Sequence, residues 1–536
     1  MAIHSGLSPA ERADAEQYIA SGDCRLAFVS PERVIQPSFL ELVRLADVRD
    51  IAIDEAHCIS HWGHDFRPDY RQLARLKHIF PGTSFHAFTA TATERVRNDI
   101  VEQLQLDNPA IHVGCFDRPN LVYRVVPSNQ LRRQVEGVVE RHQDEAVIIY
   151  CISRADTERM ATYLREKGVA AVHYHAGMEP DDRRATQEAF AREEVNVVVA
   201  TVAFGMGIDR SNVRCVVHAA MPKSIEHYQQ ETGRAGRDGL EEECVLFYSP
   251  AATMRWKSLI EKSTEEFEGS PELVAAAFEL LEHMRKYCTP GTCRHRTLSE
   301  YFGQEYEAEN CGACDVCLGE GEELEDGTVS AQMVLSCVAR VRQNFGAGHV
   351  CDVLRGTLTD RVIQLGHDQL STFGLMESTT KTALNQIIYQ LLDQDLLERT
   401  RSEFPVLQLN ANSWEVLRGE RKVQLMPSRS RKKVKTTAHE AKSWDGVNRE
   451  LFEDLRELRS ELATERKVPP YVIFSDASLR DMARIQPQTV ETFLGVHGVG
   501  EKKLRDFGEL FLNPVSYTHL RAHETDSYLV CRLLLE

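Results

Sequence analysis

The sequence predicts an α/β chain in which two parallel-sheet units are followed by smaller, mainly helical modules. Up to about residue 250, short apolar β-rich runs alternate with amphipathic helical stretches, and from about residue 330 the pattern becomes helical. Such alternation implies parallel strands joined by crossover helices, with ligands beyond the carboxyl ends of the strands. At roughly 100–200 residues per domain, the length of 536 residues indicates about three to five domains.

Eight apolar runs are the predicted strands of the α/β half. They are Leu26–Val29, Ile51–Asp54, Phe85–Thr89, Val147–Tyr150, Val172–His175, Val197–Ala200, Val216–His218 and Val245–Tyr248. The segment 116–120 contains Pro119 and interrupts the alternation, so it divides the two units. We therefore predict the first unit over residues 1–116 and the second over 117–250.

The second half of the chain predicts three further modules. Residues 251–325 hold a cysteine cluster, and residues 326–420 contain a helical stripe followed by a strand-like run at 406–409. Helices followed by a hairpin are typical of a winged helix. In 444–514 leucines recur at ordinary helical core spacing, which predicts a small all-helical domain.

The formal net charge of −18 is unevenly placed along the chain. Residues 421–442 hold eight Lys and Arg against Glu440, so the rest of the chain carries −25. We interpret 421–443 as a basic linker; a solvated connector fits that composition at least as well as a phosphate-binding segment. Residues 303–326 contain nine acidic and no basic residues, which indicates a second boundary. The acidic total argues against a surface coated by nucleic acid, but not against a local groove.

The composition excludes several classes of protein. With 42% hydrophobic and 27% charged residues the chain is globular, and no uninterrupted apolar run is long enough to cross a bilayer. The first residues have neither the basic region nor the apolar region of a secretory signal, which points to the cytosol. In a reducing compartment, the cysteines clustered between Cys288 and Cys317 favour a metal site over disulfides.

The segment Asp54–Tyr70, DEAHCISHWGHDFRPDY, directly follows the apolar run 51–53. An acidic pair at the carboxyl end of a strand can hold Mg²⁺ and orient a water toward a nucleotide γ-phosphate. Asp54 would then serve the metal and Glu55 the water. Taken alone the pair is weak evidence, because acids also cap the helix that follows a strand.

This segment resembles motif II and the aromatic-rich loop of the RecQ family of DNA helicases. Four further blocks resemble that family's motifs III to VI, in its order: Thr89–Thr93, Tyr150–Arg154, Ala200–Asp209 and Gln229–Gly239. Ordered matches are more specific than any single motif. The resemblance implies two RecA-like units, the first incomplete, then a zinc-binding module, a winged helix and an all-α HRDC domain.

The resemblance also implies a function. It predicts an ATP-dependent DNA helicase that moves 3′→5′ and unwinds duplex DNA in recombination and repair, with ATP, Mg²⁺ and Zn²⁺ as cofactors. The expected partners are single-stranded and duplex DNA, single-strand-binding protein and other repair proteins, without a membrane, in a cytoplasmic, nucleoid-associated location. The alternative is a non-catalytic DNA-binding remnant that uses the zinc, winged-helix and HRDC modules. An RNA-dependent ATPase is a third hypothesis.

The family's motifs assign roles to residues of this chain. The residues expected in catalysis are Asp54, Glu55, His57, Gln230, Arg234 and Arg237. Those expected at the nucleotide are Asp54, Glu55, Gly205, Gly207, Asp209, Arg234 and Arg237. Arg234 and Arg237 would close on the γ-phosphate when the cleft between the units shuts. Without the motif, two arginines on one helix would indicate a solvated face or carboxylate pairs.

A third group of residues is expected to contact DNA. It comprises Trp62, Phe66, Arg67, His175, Thr201 and Tyr471. Aromatic side chains of the loop are expected to stack on unpaired bases, while packing of one unit against its neighbour is the alternative. Tyr471 lies in the most recognisable HRDC stretch, and a packing role fits it equally.

Three closely spaced cysteines, Cys311, Cys314 and Cys317, predict a metal site. Cys293, seventeen intervening residues upstream, can complete a closed tetrahedral Cys₄ site. The resemblance to the RecQ zinc module selects Cys293 over Cys288 and His295 as the fourth ligand. Four thiolates without an open position imply structural zinc, and Cys288 is expected to be a buried apolar thiol.

The sequence departs from the family at both ends. It contains no G-x-x-x-x-G-K-S/T loop, whose amides and lysine cradle phosphates. We therefore expect an N-terminally truncated first unit and inefficient ATP hydrolysis. Residues 515–536 no longer resemble the HRDC domain and look like translated sequencing-adapter read-through, so we expect a non-native tail.

Overall fold

The computed structural model describes residues 1–3, 7–46, 48–205, 208–267, 271–320, 325–400, 405–426 and 444–512. Gly207, most of the predicted basic linker and the predicted tail 515–536 lie outside these described residues. Among the helices that are described, none is long and apolar enough to cross a membrane.

The first unit contains two pairs of parallel strands. They are β1 (Ala2–Ile3) with β2 (Phe28–Val29) and β3 (Asp50–Ile53) with β4 (Ser84–Ala87). The helices of this unit are Pro9–Ala20, Pro31–Val34, Pro37–Leu45, Pro68–Arg71, Arg75–Ile79 and Glu94–Gln103, with 3-10 turns at Ala56–Ile59 and Gln72–Ala74. Ile53 at the end of β3 packs with Val96 and Ile100 in one buried cluster. This packing fixes the position from which the acidic pair projects.

The second unit is a six-stranded, all-parallel sheet with the order β5-β10-β9-β6-β8-β7. Its strands are β5 (Leu121–Pro127), β6 (Ala146–Tyr150), β7 (Ala171–Tyr174), β8 (Val197–Ala200), β9 (Val213–His218) and β10 (Glu242–Tyr248). Its helices are Leu131–Arg141, Arg154–Glu166, Pro180–Ala191 and Ile225–Thr232. Two buried clusters hold side chains of these strands. Strands covered on both faces are continuously apolar, which is why β6 and β8 agree with the predicted runs within one residue.

Strand β5 is the strand of the six-stranded sheet that the sequence pattern missed. Its central residue, Arg124, breaks the apolar run, although the side chain is buried. Arg124 is stabilised there by Glu243 of β10, at 3.2 Å, and by Glu320, at 2.8 Å. The division that we placed at 116–120 therefore lies directly before the first strand of the second unit.

Beyond residue 250 the described chain is mainly helical. The helices Pro250–Phe267, Pro271–Cys288 and Arg294–Tyr301 accompany the cysteine cluster. The helices Thr328–Arg340, Ala347–Leu354, Asp360–Gln364, Lys381–Asp393 and Ala411–Leu417 form the next module with two antiparallel pairs, β11 (Glu325–Asp326) with β14 (Gln424–Leu425) and β12 (Glu398–Arg399) with β13 (Leu407–Gln408). The last module contains Arg449–Arg466, Pro470–Ile473, Asp476–Ile485, Val490–Leu494 and a helical segment at 501–512.

The predicted linker begins too early. Strand β14 lies inside the range 421–443, and both Val423 and Leu425 are buried in the core of the preceding module. The described part of that range is therefore folded, because its two apolar side chains complete this core in spite of the basic residues beside them.

The last module packs against the second unit through buried charges. Arg214 of β9 lies 2.7 Å from Asp476, at the start of the helix Asp476–Ile485. Arg459 lies 2.7 Å from Asp476 and 3.5 Å from Glu193 of the second unit. All four side chains are less than 10% exposed, so this contact is a desolvated ion-pair network.

Candidate nucleotide and DNA site

The acidic pair begins directly where β3 ends. Glu55 has a φ of 49°, a left-handed conformation that is uncommon for a non-glycine residue and concentrates at functional sites. Its Oε2 lies 3.3 Å from His57 Nδ1, and that nitrogen lies 2.9 Å from Thr89 Oγ1. Motifs II and III therefore meet at His57.

Burial controls the protonation of this acidic corner. Burial, and then the Asp54 carboxylate, raise the pKa of Glu55, while the Arg234 guanidinium opposes both. Burial also lowers the pKa of His57 to about 4, so its imidazole is neutral at physiological pH. The corner thus combines a carboxylate of raised basicity with a neutral hydrogen-bonding ring.

The two candidate phosphate-contacting arginines come from the second unit. The helix Ile225–Thr232 ends before both of them, so Arg234 and Arg237 lie in the following turn. The alternative of two arginines on the face of one helix therefore does not apply. A Cβ at Gly205 would lie 2.9 Å from Arg234 Nη2, so glycine there leaves room for the guanidinium. Arg237 Nη1 donates to Asp209 Oδ1 at 2.8 Å.

A column of three histidines crosses from the first unit to the second. His57 and His64 are stacked with ring centroids 4.2 Å apart, and His64 meets His227 edge-on at 4.6 Å. Burial holds the pKa values of His64 and His227 well below the usual range. The Gln230 side chain opposes this shift at His64, because its proximity favours the protonated ring. The column therefore connects motif II with motif VI through neutral rings.

The aromatic-rich loop lies at a junction between modules. The guanidinium carbon of Arg95 is 3.2 Å from the ring centroid of Trp62. Both residues line a cavity of about 400 Å³ together with Ile225 and residues of the helix Pro271–Cys288. Trp62 is half-buried against the core of the first unit and faces this cavity, so part of its side chain stays exposed.

Phe66 and Arg67 belong to the same loop. Phe66 is edge-on to His61, with centroids 4.1 Å apart, and Arg67 pairs with Asp65 at 2.7 Å. Both side chains are half-buried, so the loop is an ordered surface with one aromatic and one cationic group available.

The remaining candidate DNA residues are distributed over other edges. His175 follows β7, is buried, and its Nε2 lies 3.0 Å from Glu158. Thr201 follows β8 and is half-buried. Tyr471 belongs to the last module, where burial and then the Asp209 carboxylate raise its pKa. Tyr471 therefore lies within electrostatic reach of Asp209 in motif V.

The four predicted metal ligands come together. The Sγ atoms of Cys293, Cys311, Cys314 and Cys317 all lie within 4.8 Å of one another. Hydrogen bonds from Cys311 and then Cys314 lower the pKa of Cys293 to about 4. Four soft thiol donors, one of them readily ionised, fit a closed tetrahedral zinc site.

The two rejected candidates have other surroundings. Cys288 is 1% exposed within an apolar cluster. His295 Nδ1 lies 2.6 Å from Asp117, and its Nε2 faces the carbonyl oxygens of Leu121 and Ala313. Both ring nitrogens of His295 are therefore occupied.

Comparison with known proteins identifies the chain. The matching family models are DEAD/DEAH box helicase (residues 1–100), helicase conserved C-terminal domain (129–239), RecQ zinc-binding (251–318), RQC domain (321–434) and HRDC domain (448–515). The ATP-dependent DNA helicase RecQ of Pasteurella multocida (strain Pm70) is 41% identical over 517 residues, which cover 95% of this chain and 80% of that protein. The chain belongs to the RecQ family of ATP-dependent DNA helicases.

Further RecQ relatives agree. RecQ of Haemophilus influenzae is 41% identical, with 95% of this chain and 82% of the relative covered, and RecQ of Bacillus subtilis (strain 168) is 38% identical, with 96% and 84% covered. Among solved structures, S. cerevisiae Dbp5 bound to RNA and ADP BeF3 is 17% identical over 50% of this chain and 64% of that chain, with a TM-score of 0.36. This similarity is too weak to support a conclusion about the chain.

The RecQ family accounts for the cofactors. ATP and Mg²⁺ belong to its helicase units, and zinc belongs to the module that contains the Cys₄ group. Two features of this RecQ chain were absent from our sequence prediction. The first is the contact of His227 with His64, for which the sequence offers one signal: His227 lies on the helix that leads into motif VI. The second is the buried ion pairing of Arg214, for which the sequence offers no signal, because an isolated arginine in a strand does not indicate a partner.

Proposed function

We propose that this RecQ helicase moves 3′→5′ on single-stranded DNA and unwinds duplex DNA in recombination and repair. One observation carries the proposal: the column His57, His64 and His227 joins the first unit's acidic corner to the helix of the second unit that leads into motif VI. Phosphoryl transfer is catalysed mainly by positioning and charge stabilisation. A site divided between two units therefore links hydrolysis to closure of the cleft.

The proposed roles follow the chemistry of each side chain. Asp54 would hold Mg²⁺, which supplies neutralisation of phosphate charge when bound. Glu55 orients the attacking water and accepts its proton, a task that a raised pKa favours. Gln230 and His57 keep this carboxylate corner aligned with motif VI.

The arginines act from the other side of the cleft. Arg234, inserted beside Gly205, already lies close enough to Glu55 to influence its pKa. Arg237 is held by Asp209 in this conformation. We propose that Arg234 stabilises the transferring phosphoryl group and that Arg237 exchanges Asp209 for phosphate oxygens as the cleft shuts. Gly207, whose proposed place is beside the nucleotide, lies outside the described residues.

We propose that single-stranded DNA is the ligand along which the two RecA-like units move. Trp62, Phe66 and Arg67 are proposed to contact unpaired bases and backbone on the first unit, and His175 and Thr201 border the strand on the second. Tyr471 is proposed to add a stacking contact from the HRDC domain. Cys293, Cys311, Cys314 and Cys317 would hold a structural zinc ion as thiolates, and its binding would stabilise the module between the second unit and the RQC domain.

The cellular setting is part of the same proposal. The partners are single-stranded and duplex DNA, together with single-strand-binding protein and other repair proteins, in the cytoplasm near the nucleoid. Relatives named RecQ from three bacteria support this setting.

The test is DNA-stimulated ATP hydrolysis, measured in two proteins. The first is the 536-residue chain, which has no G-x-x-x-x-G-K-S/T loop and should hydrolyse ATP poorly. The second is the same chain extended upstream by a strand and such a loop, which should hydrolyse ATP faster when single-stranded DNA is added. A rate that DNA does not change in the second protein would support the non-catalytic DNA-binding alternative.

Two substitutions in the extended protein test the roles. Glu55→Gln should lower the DNA-stimulated rate by about 100-fold or more, because the proton acceptor is lost. Glu94→Gln, an exposed carboxylate on the same unit, is the matched control and should leave the rate unchanged. Equal effects of both substitutions would contradict the assignment of Glu55.

A further inference from the structure

A second cavity opens at the carboxyl ends of β6 and β9, on the second unit. Its volume is about 730 Å³. Four arginines from three different helices line it: Arg132, Arg133, Arg159 and Arg255. All four are exposed, so their guanidinium groups surround an opening that a polymer can enter. Ligands of parallel sheets bind at this end of the strands.

The cavity carries an excess of positive charge. Asp156 is the one acid among its lining residues, and it pairs with Arg159 at 2.6 Å and with Arg255 at 3.1 Å. Within the described part of the chain, neither Arg132 nor Arg133 forms an ion pair with a carboxylate. Arg133 faces Gln130 Oε1 at 3.3 Å, and Arg132 lies 5.8 Å from the Tyr163 ring. Four cations against one anion favour an anionic ligand.

The floor of the cavity is apolar, whereas its rim is cationic. Ile152, Met160 and Ala219 line the floor, and Tyr163 stands at one side. Planar guanidinium groups bind phosphate oxygens in a bidentate manner and also stack on flat rings. An apolar floor below an arginine rim therefore fits the sugar and phosphate of a nucleic-acid backbone better than it fits a small, fully hydrated anion.

The position of the cavity indicates which ligand reaches it. Gln386, on a helix of the RQC domain, donates to the carbonyl oxygen of Ser128 at 3.3 Å, three residues before the helix Leu131–Arg141 begins. Met254, next to Arg255, packs against the core of the RQC domain. The arginines therefore lie where the second unit adjoins the RQC domain.

We propose that the four arginines of this cavity, which lie outside the five motif blocks, bind backbone phosphates of DNA. The proposal rests on the proposed function of the chain on DNA, and it adds a contact that none of the residues assigned to DNA above provides. Each arginine that neutralises one phosphate releases condensed counterions, so the contact is visible in the salt dependence of binding.

The experiment measures binding of a fluorescent oligonucleotide, single-stranded or partly duplex, to the 536-residue chain over a series of NaCl concentrations. The variants are Arg132→Gln with Arg133→Gln, Arg159→Gln, and Asp156→Asn. Arg184→Gln is the matched control, since Arg184 is an exposed helical arginine outside the cavity that pairs with Asp181 at 2.9 Å.

The double variant should bind DNA about tenfold more weakly at physiological salt. The magnitude of its slope of log K against log salt should fall by about 1.5, because each lost phosphate contact lowers that magnitude by about 0.7–0.9. Asp156→Asn should bind more tightly than wild type, because two arginines lose their intramolecular partner. A role that is merely structural predicts no such gain.

Three other outcomes separate the hypotheses. Absence of DNA binding by the wild-type chain overturns the proposed function itself. DNA binding with all cavity variants equal to Arg184→Gln overturns the arginine cavity alone. Loss of fluorescent ATP binding with unchanged DNA binding in the double variant assigns the site to a free nucleotide, which also overturns the proposal for DNA phosphates.

Discussion

Asp476 holds the HRDC domain on the second RecA-like unit, and Asp476→Asn is the perturbation that tests this docking. The carboxylate lies 2.7 Å from Arg214 of the second unit and 2.7 Å from Arg459 of its own domain. Burial alone would raise the pKa of Asp476, but Arg459 and Arg214 outweigh burial and hold the pKa well below its usual range. The charged carboxylate is therefore required by both guanidinium groups.

The expected cost follows from what each partner retains. Removing one member of a buried ion pair costs about 3–5 kcal/mol, because the other charge stays desolvated. Arg214 keeps Asp238 at 2.7 Å, and Arg459 keeps the carbonyl oxygen of Phe474 at 3.0 Å. Asparagine also retains one carbonyl acceptor. We therefore expect a destabilisation at the lower end of that range, about 3 kcal/mol. This free energy corresponds to more than a 100-fold increase in the equilibrium constant for opening of the interface.

Hydrogen exchange followed by mass spectrometry measures this opening in the whole chain. In Asp476→Asn, amides of 208–214 and 476–485, on both sides of the interface, should exchange faster. Amides of 451–462 in the HRDC core should stay protected. Glu461→Gln removes an exposed carboxylate from the same domain and should change neither set.

Loss of protection in both 476–485 and 451–462, with 208–214 unchanged, would contradict a docking role for Asp476, because the carboxylate would then stabilise only its own domain. A double-mutant cycle with Arg214→Gln gives a second check. If the two residues act at one contact, the double variant should open little more than either single variant, with a coupling of about 0.5–3 kcal/mol.

Three further predictions concern other parts of the fold. Strong chelation of zinc should unfold 280–320, since binding free energy at such a site is folding free energy; protease resistance retained there after verified zinc removal would contradict this. Gly205→Ala should destabilise the chain by about 1 kcal/mol in thermal unfolding, because its Cβ would lie 3.1 Å from the Val202 carbonyl oxygen and would displace the end of the Arg234 side chain, whereas Gly137→Ala, with no atom within 4 Å, should not. Stability should fall as pH decreases from 6.5 toward about 4, because the unfolded chain protonates His57 and the folded chain resists it; His57→Gln should flatten this part of the pH profile.

The hydropathy pattern predicts the bounds of a strand well where all its buried side chains are apolar. Where a strand contains buried charged residues, the predicted range is too short. β8 agrees at both ends, since Val197–Ala200 is uninterrupted. β9 begins three residues before the predicted run because Arg214 is buried by ion pairs, and β10 begins three residues early because Glu242 and Glu243 are buried in the same manner. A hydropathy pattern scores such residues as exposed, because the partners that neutralise them are distant in sequence.

The candidate site shows the same difference between residues that a local pattern identifies and residues that depend on distant partners. The motifs placed Glu55 and Arg234, since each has a fixed local sequence around it. They did not place His227, which becomes significant only when the column from His57 and His64 reaches it across the cleft. Contacts of this kind depend on how two units are docked, and no local pattern encodes that docking.

The start of β10 shows how charge joins the modules that the motifs describe separately. Glu242 and Glu243 are adjacent in a strand, so they point to opposite faces of the sheet. Glu242 pairs with Arg214, which continues to the HRDC domain. Glu243 lies 3.2 Å from Arg124, which continues to Glu320 beside the zinc module.

The start of β10 therefore links both the HRDC domain and the zinc module to the second RecA-like unit through ion pairs. Asp238, which also pairs with Arg214 at 2.7 Å, directly follows Arg237 in the chain. The HRDC contact and a candidate phosphate arginine thus share one short segment. Release of Asp476 would free Arg214 to repack around Asp238, so the docking of the HRDC domain and the position of motif VI are parts of the same buried network.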